Sequence, residues 1–252
     1  MLFVKEIIED LKNKKELREL DEEFIKNRIL EYKLDIEADN YEEFKRDKKF
    51  KTFFKDLRRK LRIVYGMYWF KIRKDKELLE QHHSTKERVK YYTEVYKKIF
   101  EITGKPNSIL DLGCGLNPLS YEYLDGKIEY FVADIGRDIK IIKEFFDKNN
   151  IKGEAFVFDL ISGDYNKLPE ADVCFLFKVL ESLESIERNI SKEIIKKIKC
   201  KYIVVSFAKM ALGGKIEIKK KGRSWFRRIL SELGYEFEVF DVGNELFFII
   251  KK

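Results

Sequence analysis

Two hydrophobic rhythms divide the chain near Pro106. Up to about residue 104, apolar residues recur at three- and four-residue steps, the spacing of one buried face of an α-helix: Leu2, Val4, Ile7, Ile8 and Leu11, then Phe24, Ile25, Ile29 and Leu30, then Phe53, Phe54, Leu57 and Leu61, then Val89, Tyr92, Val95, Tyr96 and Ile99. No proline interrupts this half, and the pattern predicts four or five helices. One of them is expected to start sharply at Ser84-Thr85-Lys86-Glu87, with the serine as N-cap and the glutamate three residues on reaching back to it.

After Pro106 short apolar runs alternate with amphipathic stretches. The runs cover 108–115, 130–135, 155–160, 172–180, 201–207, 236–242 and 245–250, and helical segments are expected near 117–125, 138–150, 184–199 and 223–233. Strands alternating with helices call for right-handed crossovers and a mainly parallel sheet covered on both faces. Only Gly243-Asn244 separates the last two runs, a two-residue hairpin signal, so the sheet is expected to finish in an antiparallel pair. The predicted fold is therefore α/β: a Rossmann-like, seven-stranded, mainly parallel sheet ending in an antiparallel hairpin, which is the topology of class I methyltransferases. An all-α N-terminal domain precedes it, with domains at 1–80 and 81–252.

Composition excludes several classes. Hydrophobic residues make up 44% and aromatics 14% of 252 residues, enough for a core and too much for a disordered chain. No apolar run is long enough to span a membrane, and the N-terminus turns charged at Lys5, unlike a secretory signal. Three scattered cysteines suit neither a disulfide framework nor a zinc site, so a cytoplasmic location is expected.

The net charge of +7 is unevenly spread. Residues 1–44 hold 8 basic and 14 acidic residues, whereas 45–74 hold 13 basic and 2 acidic, interleaved with Phe50, Phe53, Phe54, Tyr65, Tyr68, Trp69 and Phe70. A second cluster, Lys209 to Arg228, holds 8 basic residues and 1 acidic. A helix with a solvated basic face accounts for the first cluster, and so does a surface that docks on phosphates and gains from counterion release.

The chemistry concentrates at Asp111-Leu112-Gly113-Cys114-Gly115, between a strand and a helix, where glycines permit a tight turn and close ligand approach. The next strand ends in Asp134, placed to accept hydrogen bonds from ribose hydroxyls, and the third ends in Asp159-Leu160, placed to meet an adenine. The alternative for such strand-end acids, Asp159 above all, is a helix cap. GCGLNP lacks the third glycine of a dinucleotide fingerprint.

Several segments together resemble the aminoglycoside-resistance 16S ribosomal RNA (guanine-N7)-methyltransferases. His82-His83-Ser84-Thr85-Lys86-Glu87-Arg88 is similar to their HxSTxER element, and the stretch from Asp111 to Pro118 to their LDxxCGLNP motif. Phe177-Lys178-Val179-Leu180, Val205-Ser206-Phe207, Ala211 to Lys215, and Asn244-Glu245-Leu246 follow in the family's order; upstream, Arg59 to Arg62 and Tyr65 to Tyr68 resemble its basic docking stretch. The similarity spans roughly 55–252. The chain departs at Ala208-Lys209, where the family has Pro-Thr close to the target base.

The resemblance implies S-adenosyl-L-methionine as cofactor. It implies that Arg88 clamps the methionine carboxylate, Gly113 lies against the methionine moiety, Asp134 holds the ribose, Asp159 and the Leu160 backbone bind adenine, and Phe177 and Lys178 line the floor near the methyl. A salt bridge to Glu87 or Glu94 is the alternative for Arg88. RNA would meet Arg58, Arg59, Lys60, Arg62, Lys178, Lys209 and Lys215, and Tyr65, Tyr68, Trp69 and Trp225 are candidates for base stacking.

Guanine N7 bears a lone pair at neutral pH, so direct in-line methyl transfer calls for no general base, no catalytic acid–base residue and no metal. The expected partner of this monomer is ribosomal RNA or the small ribosomal subunit, with no membrane. Transfer RNA guanine-N7 methylation, small-molecule methylation, and a non-catalytic RNA-binding or ribosome-assembly role are the competing readings.

Overall fold

A computed structural model of the chain describes residues 3–65, 78–81, 83–136, 138–210 and 223–252. The chain forms two compact units, residues 1–70 with 135–137 and residues 71–134 with 138–252.

The first unit is helical: α1 (Val4–Lys12), α2 (Glu22–Leu30), α3 (Tyr41–Arg46) and α4 (Lys48–Val64). Side chains start the last three. Asp21 accepts from the Phe24 N–H (2.8 Å), Asn40 from the Glu43 N–H (3.0 Å) and Asp47 from the Lys49 N–H (2.6 Å), each satisfying an orphan donor of a first turn. The apolar positions at helical spacing become one core: Ile7 and Leu11, Phe24, Ile25 and Ile29, Phe44, and Phe50, Phe53, Leu57 and Leu61 are all buried. Tyr65 is buried with them, so it packs inside this unit instead of being presented for stacking.

The second unit opens with two single turns, α5 (Leu78–Gln81) and α6 (His83–Lys86), a 3-10 turn Val89–Tyr91, and α7 (Tyr92–Thr103). Helix α6 already includes Ser84, so the expected start at that serine is corrected: the turn begins one residue earlier. Glu87 pairs with Lys178 (2.9 Å).

Seven strands follow: β1 (Ser108–Leu112), β2 (Glu129–Asp134), β3 (Gly153–Val157), β4 (Ala171–Phe177), β5 (Cys200–Ala208), β6 (Glu236–Val242) and β7 (Glu245–Lys251). Their order is β3-β2-β1-β4-β5-β7-β6. The first five are parallel, and β7 runs antiparallel between β5 and β6. The central strands are the continuous apolar runs; six of seven residues of β7 and five in succession of β4 are buried, as a sheet covered on both faces requires.

Helices α8 (Asp138–Asn149), α9 (Leu180–Glu184), α10 (Ile190–Lys197) and α11 (Ser224–Leu233) fill the crossovers. The single helix expected over 184–199 is two, because the Glu184 carboxylate turns back to accept the N–H groups of Asn189 (2.9 Å) and Ser191 (2.8 Å) and so caps a new helix. The segment after the glycine turn, Asn117–Leu124, is 3-10 rather than α. Among the described residues no helix is long and apolar enough to cross a membrane.

Candidate functional site

The parallel order reverses between β1 and β4, and in such sheets ligands bind outside the carboxyl ends of the strands at that point. The glycine turn lies there. Gly113 has φ +64° and Gly115 φ +50°, left-handed values that a side chain would strain. Sterics add to this at Gly113, where a Cβ would stand 2.7 Å from Val179 Cγ2 and 3.6 Å from Leu160 Cδ1. Hydrogen bonds tie the turn to the end of β2. The N–H groups of Gly113 (2.8 Å) and Cys114 (3.2 Å) donate to the Ala133 carbonyl, and the Gly115 N–H donates to Asp134 Oδ2 (2.8 Å).

Behind the turn lies a buried polar network that the sequence spreads over 157 positions. Arg88, 3% exposed, forks onto Glu245, Nε to Oε1 at 2.9 Å and Nη2 to Oε2 at 2.8 Å. Its Nη1 donates to Asn117 Oδ1 (2.7 Å), which also accepts from the Tyr92 hydroxyl (3.1 Å). The Asn117 amide in turn donates to Asp111 Oδ2 (2.8 Å), an oxygen shared with the Tyr130 hydroxyl (2.8 Å). The guanidinium also lies 4.7 Å from the centroid of the Phe177 ring, a cation–π contact.

Glu245 also accepts from the Ser206 hydroxyl (2.9 Å) and forms an ion pair with the Lys178 ammonium (3.3 Å), which itself donates to Glu87 at 2.9 Å. Lys178 stands just past β4 with φ +58°, an unusual conformation for a residue with a side chain, and its N–H donates to the Ser206 carbonyl (3.0 Å).

These surroundings set the charges. Burial alone would lower the Arg88 pKa, but Glu245 overrides it and holds the guanidinium above its ordinary value. Burial would raise that of Glu245; Arg88 and Lys178 reverse the effect and keep it below the usual range. Asp111 meets the Arg88 guanidinium only across Asn117. Burial pushes it up to about 6 against the opposing bonds from Asn117 and Tyr130, and its Oδ1 has no hydrogen-bond partner among the described residues.

The other positions singled out in the sequence separate clearly. Asp159 accepts from the Ile161 N–H (2.8 Å) and the Ser162 hydroxyl, so it closes its own turn and caps no helix. The Leu160 carbonyl accepts from Tyr165 (2.6 Å) while its side chain lies near Gly113. Phe177 is buried and stacked on Phe175. The salt bridge weighed for Arg88 goes to Glu245, not to Glu87 or Glu94. Trp225 is half-buried, edge-on to Phe207 and Phe226.

In the helical unit, Arg59 and Lys60 both pair with Asp56 (2.8 and 3.3 Å), and Arg62 lies 3.6 Å from Glu16. Arg58 belongs instead to the α4 face of Lys48, Lys51, Lys55 and Arg62, which succeed one another at three- and four-residue steps. Lys209 pairs with Asp241 (2.9 Å). Lys215, Tyr68, Trp69 and His82 lie outside the described residues.

Residues 73–249 match the FmrO ribosomal RNA methyltransferase family. The chain belongs to this family. It is similar to the 16S rRNA (guanine(1405)-N(7))-methyltransferase of Micromonospora rosea, 31% identical over 185 residues covering 72% of this chain and 67% of the relative. The first relatives of this kind are matched over 61% to 67% of their own lengths. Among solved structures, the 16S rRNA methyltransferase RmtF in complex with S-adenosyl-L-homocysteine shares the fold at TM-score 0.79, with 23% identity and coverage of 100% and 99%. The 16S rRNA methylase ArmA has TM-score 0.58 at 29% identity, over 69% of this chain and 88% of that one.

A class I methyltransferase uses S-adenosyl-L-methionine, and this methyltransferase has a donor set that fits it. Asp134, at the end of β2 beside the glycine turn, offers a carboxylate suited to ribose hydroxyls. Asp111 keeps a buried oxygen in need of a donor at the same edge.

Proposed function

We propose that this ribosomal RNA methyltransferase transfers a methyl group to guanine N7 in small-subunit ribosomal RNA. The name carried by the Micromonospora rosea relative supports the choice of base and RNA. The observation that carries the reading here is the glycine turn stapled to Asp134 at the switch point, backed by the Arg88 network.

S-Adenosyl-L-methionine supplies an electrophilic methyl on a sulfonium. Gly113 lets the backbone close on the methionine end, Asp134 holds the ribose, and Asp159 with Leu160 borders the adenine. Arg88 presents cationic charge toward the methionine carboxylate and, with Phe177, forms the floor of the site. Guanine N7 has no proton to lose, so the chain's task is to position the base, keep water away and hold these groups rigid. The network does the last of these, since it ties Asp111 of β1, Ser206 of β5 and Glu245 of β7 to Arg88 and Asn117, which lie outside the sheet.

Arg58, Arg59, Lys60 and Arg62 in the helical unit, and Lys178, Lys209 and Lys215 in the other, are assigned to the RNA. The α4 face of Lys48, Lys51, Lys55 and Arg58 suits a phosphate backbone best, because Arg59 and Lys60 already share Asp56 and Arg62 lies 3.6 Å from Glu16. The protein acts as a monomer in the cytoplasm. Incubation with labelled S-adenosyl-L-methionine and, separately, small subunits, free 16S ribosomal RNA and transfer RNA tests this. Label is expected in the ribosomal substrates; label confined to transfer RNA overturns the reading.

A further inference from the structure

The hairpin that ends the sheet delivers one carboxylate to the site. Strand β7 runs antiparallel to β5, so its first residue, Glu245, lies opposite Ala208 at the carboxyl edge of the parallel strands. There it is 3% exposed, accepts three hydrogen bonds and has the Lys178 ammonium as a further ion-pair partner. Oε1 takes Arg88 Nε at 2.9 Å and Lys178 Nζ at 3.3 Å, and Oε2 takes Arg88 Nη2 at 2.8 Å and Ser206 Oγ at 2.9 Å. The two cations it holds are the ones assigned above to different halves of the reaction.

We propose that Glu245 is a positioning residue that sets Arg88 and Lys178 together, so that one buried carboxylate governs both cofactor affinity and engagement of the RNA base. The inference rests on the reading of the site as a methyltransferase centre. Glu245 acts through the two cations. A guanidinium held edge-on by a carboxylate keeps one orientation, which a lone buried arginine does not. Lys178 is a flexible chain on a left-handed backbone, and Glu245 with Glu87 fixes its end point. The neutral hydroxyl of Ser206 completes the carboxylate's bonding without adding charge.

The test uses the full-length protein, calorimetry with S-adenosyl-L-homocysteine, and turnover on small subunits. Glu245→Gln is expected to weaken S-adenosyl-L-homocysteine at least tenfold and also to lower turnover at saturating cofactor. Lys178→Met is expected to lower turnover while leaving that affinity within twofold. Arg88→Met with Glu245→Gln is expected to bind no more weakly than Arg88→Met alone, because Glu245 works through Arg88.

A folded Glu245→Gln protein that binds within twofold of the parent overturns the inference, as does an additive double variant. Should Glu245→Gln not fold, Glu245→Asp decides: its charge is kept but withdrawn by one methylene. It is expected to bind at least threefold more weakly, and unchanged binding overturns the proposal. If the parent protein itself binds no S-adenosyl-L-homocysteine, the methyltransferase reading fails instead.

Discussion

Arg88 and Glu245 form a two-pronged buried ion pair, with nitrogen–oxygen distances of 2.9 and 2.8 Å between residues 157 positions apart. The pair joins the segment before α7 to the closing hairpin. Removing one partner strands a charge in the interior, a cost of about 3–5 kcal/mol. Arg88→Met is therefore expected to lower denaturant stability by about that much, read as a shift of the urea midpoint. Arg88→Lys keeps a charge but cannot fork, and is expected to recover only part of the loss.

Gly113 and Gly234 separate backbone strain from crowding. Both have left-handed φ, +64° and +69°, but a Cβ at Gly234 meets nothing within 4 Å whereas one at Gly113 meets Val179 at 2.7 Å. Gly234→Ala is expected to cost about 1 kcal/mol. Gly113→Ala is expected to cost more, by about 1–3 kcal/mol of crowding, and alone to weaken S-adenosyl-L-homocysteine. Thermal melts and calorimetry on the two variants check this.

Asp134 bonds the glycine turn through one oxygen, to the Gly115 N–H at 2.8 Å. Asp134→Asn can still accept that bond but carries no charge toward the ribose. Calorimetry is expected to show S-adenosyl-L-homocysteine binding at least tenfold weaker, with the melting temperature within a few degrees of the parent.

The pKa of Asp111, raised to about 6 by burial, gives stability a signed pH dependence. The unfolded carboxyl titrates near 3.8, so between about pH 4 and 6 the folded state binds more protons than the unfolded state. The stability contributed by this group is complete below that window and falls as pH rises through it. Asp111→Asn has no proton to bind. Its melting temperature is expected to gain on the parent's across the same interval, and parallel curves for the two proteins would count against the assignment.

The basic face of α4 predicts a salt effect confined to RNA. Lys55→Glu with Arg58→Glu is expected to weaken small-subunit binding and to flatten the slope of log affinity against log salt by about 0.7–0.9 for each phosphate that is no longer neutralised. Calorimetry of the same variant with S-adenosyl-L-homocysteine is expected to match the parent.

How much of this was legible in the sequence depended on range. All seven strands appear at their expected runs, because apolar runs such as 172–180 and 245–250 had to be buried on both faces. The hairpin at Gly243-Asn244 was readable from two residues, and Gly243 does adopt φ +53°. The helix breaks were not. Glu184 splits one predicted helix by capping another, a side-chain event that periodicity does not register.

The site divides the same way. The turn and Asp134 were visible as local spacing. Glu245 carries no local signal of its own beyond the Asn-Glu-Leu motif, since its partners Arg88, Lys178 and Ser206 come from three distant segments. Asn117 offered a fainter signal, a polar residue before proline after a glycine turn, and it proves to bridge Arg88 and Asp111.

The most direct measurement is to methylate small ribosomal subunits with the purified protein and locate the product by cleavage at 7-methylguanine. The account predicts one cleavage site in the small-subunit RNA, absent without S-adenosyl-L-methionine and abolished by Asp134→Asn. Methyl groups found on another atom or another RNA, or no transfer at all by a protein that binds S-adenosyl-L-homocysteine, would contradict it.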